Sequence, residues 1–183
     1  RFDPKRKYPS ILEIHGGPQT QYGKFFMHEF NYFASNGYVV YFSNPRGGRG
    51  YGEAHTKAIW GDWGSADYVD VMAFAEMMAR KPYIDKNRMG VTGGSYGGYS
   101  ALAGVTFTPE KFACSVAIVG PSNIRTLLNT IPPYWKPMLA QFSVRVGDIN
   151  NPKDADLIKN ASPLFKADQI VRPLLIGQGA NDP

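Results

Sequence analysis

The sequence has a single cysteine, Cys114, and lacks any hydrophobic run long enough to cross a membrane. One cysteine excludes a disulfide within the chain. Because Cys114 lies in the apolar stretch 112–119, we expect a buried core thiol rather than a catalytic one. A bilayer span needs about 20 consecutive apolar residues. With 43% hydrophobic residues and no repeat, the chain predicts one globular domain and no membrane partner.

The sequence also has only a small net positive charge, and it has no cluster of metal-binding residues. The chain carries 20 Lys and Arg against 15 Asp and Glu, and its only dense basic cluster is residues 5–7. No nucleic-acid motif accompanies this charge, so a mildly basic surface is favoured over a nucleic-acid partner. The histidines at 15, 28 and 55 form no metal signature. The glycine run 47–52 lacks the spacing of a phosphate-binding loop.

Strand and helix signals alternate along the chain. Short apolar or β-branched stretches predict strands, and apolar residues at helical spacing predict helices. The predicted strands are 10–15, 38–43, 88–92, 112–119 and 173–177, and the predicted helices are 24–36, 67–80 and 96–107. Strands separated by helices form mainly parallel sheets with helices on both faces. The sequence therefore predicts an α/β fold.

Segment 120–168 interrupts this alternation with six prolines and short helical pieces. An excursion of this length between two strands is typical of a lid or pocket wall, or else it only packs against the domain. Tyr134 and Trp135 lie within it. This aromatic pair fits either an apolar substrate pocket or the core.

Ser95 lies in the pattern Gly93-Gly94-Ser95-Tyr96-Gly97, between a predicted strand and a predicted helix. Strand, sharp turn and helix define a nucleophile elbow, which exposes a serine hydroxyl for attack. Glycines suit such a turn because a strained backbone and close helix packing both disfavour a Cβ. The alternative is a glycine-rich turn that holds an ordinary serine.

A second glycine motif, His15-Gly16-Gly17-Pro18, ends the first predicted strand. In hydrolases with a nucleophile elbow, the loop after an early strand supplies one oxyanion donor, and the residue after the nucleophile supplies another. These donors would be the backbone N–H groups of Gly17 and Tyr96. The alternative is a simple strand-ending turn.

Together with other stretches in the same order, these motifs resemble the catalytic domain of the prolyl oligopeptidase family, particularly its acylaminoacyl-peptidase and dipeptidyl-peptidase-like branches. The matching stretches are HGGP at 15–18, NPRGGRGYG at 44–52, WGDWGSADYVD at 60–70, GVTGGSYGGY at 90–99, GPSN at 120–123, Ser162-Pro163 and GQGANDP at 177–183. The resemblance implies an α/β-hydrolase fold, incomplete at its C-terminus. It also implies that a β-propeller domain precedes this partial catalytic domain in the full-length protein.

The resemblance implies that Ser95 is the nucleophile and that Asp182 is the acid of a catalytic triad. All three histidines precede Ser95, whereas this fold places the histidine after the acid. We therefore expect the catalytic histidine beyond Pro183 rather than at His28 or His55, and we expect the fragment alone to be nearly inactive. Some branches of the family carry a tyrosine oxyanion donor where His15 stands. Here the resemblance favours the Gly17 backbone, with His15 shaping the loop.

The expected reaction is acyl transfer from short peptides through an acyl-enzyme, without a cofactor. Val119, Pro121 and Ile124 are the predicted walls of the primary specificity pocket. A carboxylesterase or lipase of the same fold is an alternative, because a triad does not choose between amides and esters. A non-catalytic binding module is the other alternative. The compartment and any homo-oligomer of the full-length protein stay open.

Overall fold

Five parallel strands form the sheet that the structure describes. A computed structural model covers residues 2–182, apart from the side chains of Lys136 and Met138. The strands are β1 (Tyr8–Ile14), β2 (Val39–Phe42), β3 (Ile84–Gly94), β4 (Cys114–Ile118) and β5 (Leu174–Gly177). Their order in the sheet is β2-β1-β3-β4-β5, and every neighbouring pair is parallel. The predicted α/β fold with a parallel sheet is confirmed.

Helices occupy the connections between these strands. They are α1 (His28–Ser35), α2 (Glu53–Lys57), α3 (Ala66–Ala79), α4 (Tyr96–Thr106), α5 (Ile124–Asn129), α6 (Leu139–Arg145) and α7 (Ala155–Asn160), with 3₁₀ turns at Pro133–Met138, Pro152–Asp154 and Pro163–Gln169. Among the described helices, none has the length and hydrophobicity to cross a membrane. Because the strands are parallel, the segments that follow β1, β3 and β5 meet at one edge of the sheet, where ligands bind in such folds.

The core has two parts. The first packs α3 and α4 against the sheet and includes Leu12, Val91 and Leu102. The second surrounds the start of α4 and includes Tyr96 and Tyr99. Burial of each large apolar side chain contributes about 1.5–3 kcal/mol. The second cluster therefore fixes the start of α4, the helix that follows Ser95.

The first helix is shorter than its aromatic spacing predicts. The pattern at Phe26, Phe30 and Phe33 predicts a helix over 24–36, but α1 begins at His28. Phe30 stacks on Phe42 of β2 at 5.1 Å between ring centroids, whereas Phe26 is 75% exposed. The apolar face before His28 lacks the packing that stabilises a surface helix. The five-residue helix α2 was not predicted because one turn is too short to show periodicity.

The expectation of a buried Cys114 is wrong, because its side chain is exposed. Successive residues of a strand point to opposite faces of the sheet. In β4, Ser115 and Ala117 are buried, whereas Cys114 and Ile118 at alternate positions are exposed. The apolar run predicted burial of both faces of β4, but only one face of β4 is fully covered by the residues that the structure describes.

Candidate active site

Ser95 occupies the turn between β3 and α4, with an exposed side chain. Its backbone has φ 59° and ψ −119°, a conformation that few residues other than glycine adopt. Such a conformation costs about 1–3 kcal/mol and persists only where its surroundings hold it. The Ser95 N–H donates to the carbonyl of Ile118 at 2.9 Å, which ties the turn to the end of β4. This backbone and this setting have the geometry of a nucleophile elbow.

The glycines after Ser95 let α4 approach the strands closely. A Cβ added at Gly98 would lie 2.6 Å from the Ile118 carbonyl oxygen, and one at Gly97 would overlap the Ile14 carbonyl. Helix α4 is buried on all sides, although the sequence predicted one buried face. Tyr96 begins the helix, so its N–H has no intrahelical partner and is free to bind an anion.

Residues 15–21, called the β1 loop below, lie against the serine turn. A Cβ built at Gly16 would be 3.6 Å from the Cβ of Ser95. Gly17 has φ 118°, which a residue with a side chain rarely adopts. Gly17 and Ser95 both line the same cavity. This arrangement brings the two predicted oxyanion donors to the serine.

His15 is the first residue of the β1 loop, and its side chain is buried. Its Nδ1 lies 2.8 Å from the Gly16 carbonyl oxygen and 3.0 Å from the Thr20 hydroxyl. Burial lowers the pKa of His15, opposed by the bond to Gly16. The neutral ring thus holds both ends of the loop, as expected of a residue that shapes it.

One cavity of about 590 Å³ brings most of the predicted site residues together. Its walls include Gly17, Ser95, Tyr96, Asp182, Val119, Pro121, Tyr134 and Trp135. Of the two readings of the Tyr134–Trp135 pair, this placement favours the pocket wall. Ile124, predicted to line the same pocket, is instead fully buried in the core. Below, this space is called the serine cavity.

Asp182 reaches the serine cavity from the loop after β5. Its side chain is exposed, and its Oδ2 accepts a hydrogen bond from Gln178 Nε2 at 2.9 Å. The Asp182 N–H donates to the Gly179 carbonyl at 3.2 Å. A short turn therefore presents the carboxylate at the rim, with an oxygen free to accept a further donor.

The three histidines lie elsewhere. His15 is buried at the start of the β1 loop, His28 begins α1, and the Nε2 of His55 lies 3.0 Å from the Pro45 carbonyl. None of them lines the serine cavity. Within the described residues, Ser95 and Asp182 therefore share a cavity without a histidine.

A buried carboxyl that is hydrogen-bonded to Tyr96, the residue after Ser95, was missed by the sequence reasoning. Asp67, in the first turn of α3, is 2% exposed and accepts a hydrogen bond from the Tyr96 hydroxyl. The Gly64 N–H donates to the same oxygen at 3.2 Å, and the Trp63 ring packs edge-on against Tyr96 at 4.9 Å. Burial raises the pKa of Asp67, while these bonds oppose the rise. The stretch WGDWGSADYVD contributed to the resemblance, but no role was assigned to Asp67 within it.

A model of the prolyl oligopeptidase family matches residues 24–183. The chain belongs to the prolyl oligopeptidase family. The recognition made from the motifs is confirmed, and the fold agrees with it.

Two solved structures of peptidases superpose closely on the chain. An acylaminoacyl peptidase in complex with Z-Gly-Gly-Phe-chloromethyl ketone has a TM-score of 0.86 and 31% identity, over 96% of this chain and 28% of that one. A puromycin-hydrolyzing peptidase of Mycobacterium tuberculosis has a TM-score of 0.88 and 29% identity, over 97% of this chain and 26% of that one.

Relatives found by sequence similarity agree with this family assignment. Dipeptidyl aminopeptidase BIII of Pseudoxanthomonas mexicana is 42% identical over 175 residues, which are 96% of this chain and 25% of that protein. The chain thus spans about a quarter of the length of this relative.

Proposed function

We propose that the chain is part of the catalytic domain of a serine peptidase that cleaves short peptides. The observation that carries the proposal is the convergence of Ser95, the Gly17 and Tyr96 backbones and Asp182 on one cavity. Nucleophile, oxyanion donors and acid are three of the four parts that acyl transfer by a triad requires, the fourth being a histidine base. In the complete protein, a β-propeller domain would precede residues 1–183.

In the proposed reaction, Ser95 Oγ attacks the peptide carbonyl carbon and its proton passes to a histidine. The N–H groups of Gly17 and Tyr96 stabilise the oxyanion. The histidine then protonates the leaving amine as the C–N bond breaks. Water hydrolyses the resulting ester and restores the Ser95 hydroxyl.

The histidine is proposed to come from a segment beyond Pro183, oriented by Asp182. Support comes from the placement of His15, His28 and His55 away from the serine cavity. The exposed Asp182 carboxylate also has room for a new donor. Residues 1–183 alone should therefore hydrolyse substrates very poorly, because Ser95 lacks its base.

Peptides are the proposed substrates because the relatives point to them. One similar structure holds a peptidyl chloromethyl ketone, and one relative is named a dipeptidyl aminopeptidase. The serine cavity suits an apolar residue at the cleavage point, since Val119, Pro121 and Trp135 line it. A volume of about 590 Å³ falls in the usual range for small-ligand sites.

The test is hydrolysis of matched peptide and aryl-ester substrates by the full-length protein and its Ser95→Ala variant. We expect both activities in the parent protein and their loss in the variant. Ester turnover without peptide cleavage would instead indicate a carboxylesterase. Absence of both activities would indicate a binding module.

A further inference from the structure

A second cavity, of about 250 Å³, adjoins the serine cavity. Gly17 and Trp63 line both spaces, whereas Ser95 lines the first and not the second. Arg49 and Arg145 are among the other walls of the second cavity. A ligand at Ser95 can therefore extend past the β1 loop into a basic space.

The basic residues gather around one indole ring. The Arg145 guanidinium carbon lies 5.6 Å from the centre of the Trp60 ring, and Lys57 Nζ lies 5.2 Å from it. Both contacts are within cation–π range. Arg49 and Arg145 also line a more open space of about 430 Å³ next to the second cavity, together with Trp60. We call Arg49, Arg145 and Trp60 the basic subsite.

The two arginines lack acidic partners in the part of the chain that the structure describes. The ion pairs found there involve neither Arg49 nor Arg145. Lys57, by contrast, pairs with Glu53 of the same helix. Like charges repel, so two unpaired guanidiniums at one cavity favour an anion between them.

Backbone hydrogen bonds hold the main chain at Arg49 and at Arg145 to neighbouring segments. The Arg49 N–H donates to the Thr20 carbonyl at 2.9 Å, in the β1 loop itself. The Gly61 N–H donates to the Arg145 carbonyl at 2.9 Å. The main chain thus ties Arg49 to the β1 loop, which carries the predicted oxyanion donor Gly17, and ties Arg145 to the segment between α2 and α3.

We propose that the basic subsite binds the C-terminal carboxylate of a short peptide whose scissile carbonyl lies at Ser95. The proposal rests on the peptidase function proposed above. A guanidinium binds a carboxylate through two parallel hydrogen bonds, which suits it to this task. Every unmodified peptide carries such a carboxylate at one end and an ammonium at the other. The basic subsite attracts the first and repels the second, so it also orients the peptide.

The test uses the full-length protein and N-acetylated dipeptides, each as the free acid and as the C-terminal amide. They act first as competitive inhibitors of aryl-ester hydrolysis, an assay that does not require peptide cleavage. We expect the acid to inhibit about fivefold more strongly than the amide, since an exposed ion pair contributes up to about 1 kcal/mol. This preference should shrink as salt concentration rises.

Variants identify the residues responsible. Arg49→Gln and Arg145→Gln should each bring the acid-to-amide inhibition ratio towards one, and Arg145→Lys should restore part of it. Arg88→Gln is the matched control, because it makes the same change near the start of β3, away from the edge that carries Ser95. It should keep the parent ratio.

Three results would overturn the proposal. They are equal inhibition by acid and amide, a ratio that neither arginine variant changes, and arginine-dependent inhibition by amidated dipeptides that carry Asp. The last result would assign the subsite to an acidic side chain. A different result would disprove the proposed peptidase function: unblocked tripeptides would resist hydrolysis while aryl esters are cleaved. The inhibition ratio still decides the basic subsite in that case.

Discussion

The serine turn and the loop after β5 place the two proposed triad members in opposite environments. Ser95 precedes a helix that is buried on all sides, and Asp67, which accepts a hydrogen bond from Tyr96 of that helix, is 2% exposed. Asp182 stands on an exposed loop next to β5, where Leu175 and Ile176 are 63% and 56% exposed. The serine half of the site is therefore held by packing within this chain. The acid half has little packing of its own among the described residues.

The strongest test of this contrast is Asp182→Asn in the full-length protein. We expect kcat to fall by about 10⁴-fold, as when the triad acid of a serine protease is replaced by an amide. Stability should hardly change, because the side chain is exposed. Peptide hydrolysis and denaturant unfolding measure the two effects. Nearly full activity in the variant would show that Asp182 is not the triad acid.

In α4, the buried helix that follows Ser95, Gly98→Ala should lower stability and activity together. Its new Cβ would lie 2.6 Å from the Ile118 carbonyl oxygen, and overpacking of this kind costs about 1–3 kcal/mol. Gly94→Ala is the matched control, since its Cβ would meet nothing closer than 4.0 Å. Denaturant midpoints compare the two variants. Equal midpoints would argue against close packing at Gly98.

A second test of the same region uses the Asp67–Tyr96 pair. Asp67→Ala leaves the Tyr96 hydroxyl buried without an acceptor, which costs about 1–3 kcal/mol. Because Tyr96 also supplies an oxyanion donor in the proposed mechanism, we expect kcat to fall with little change in KM. Asp67→Asn retains an acceptor and should recover most of the activity. A loss of stability without a change in kcat would limit the pair to a structural role.

A further expected effect, on stability alone, concerns its pH dependence at Glu13, in β1. Burial raises the pKa of Glu13 to about 8, helped by Glu29 and opposed by the Tyr22 hydrogen bond. Between 4.5 and about 8 the folded state therefore binds a proton that the unfolded state does not, and stability falls as pH rises. The slope should be at most about 1.4 kcal/mol per pH unit.

Glu13→Gln should remove this part of the slope when denaturant unfolding is followed across that range. Glu76→Gln, which alters an exposed carboxylate, is the control. An unchanged slope in Glu13→Gln would show that the buried carboxyl ionises normally.

The sequence predicted the elements near the serine well and those further away less well. Local backbone geometry dictates the glycines around Ser95, so the turn can be recognised from the sequence alone. The environment of Cys114 depends on what covers one face of β4, which strand periodicity cannot reveal. Asp67 was missed because its partner, Tyr96, lies 29 residues away. Ile124 was predicted in the pocket but lies in the core, because a position near the sheet edge does not fix the direction of a side chain.

In the proposed mechanism, the serine turn presents Ser95 as a nucleophile. Labelling with a fluorophosphonate probe, followed by mass spectrometry of the modified peptide, tests it most directly. We expect the full-length protein to be labelled at Ser95 and the label to disappear in Ser95→Ala, but not in Ser35→Ala, which alters an exposed serine of α1. Labelling at another residue, or none at all in an otherwise folded protein, would contradict the claim.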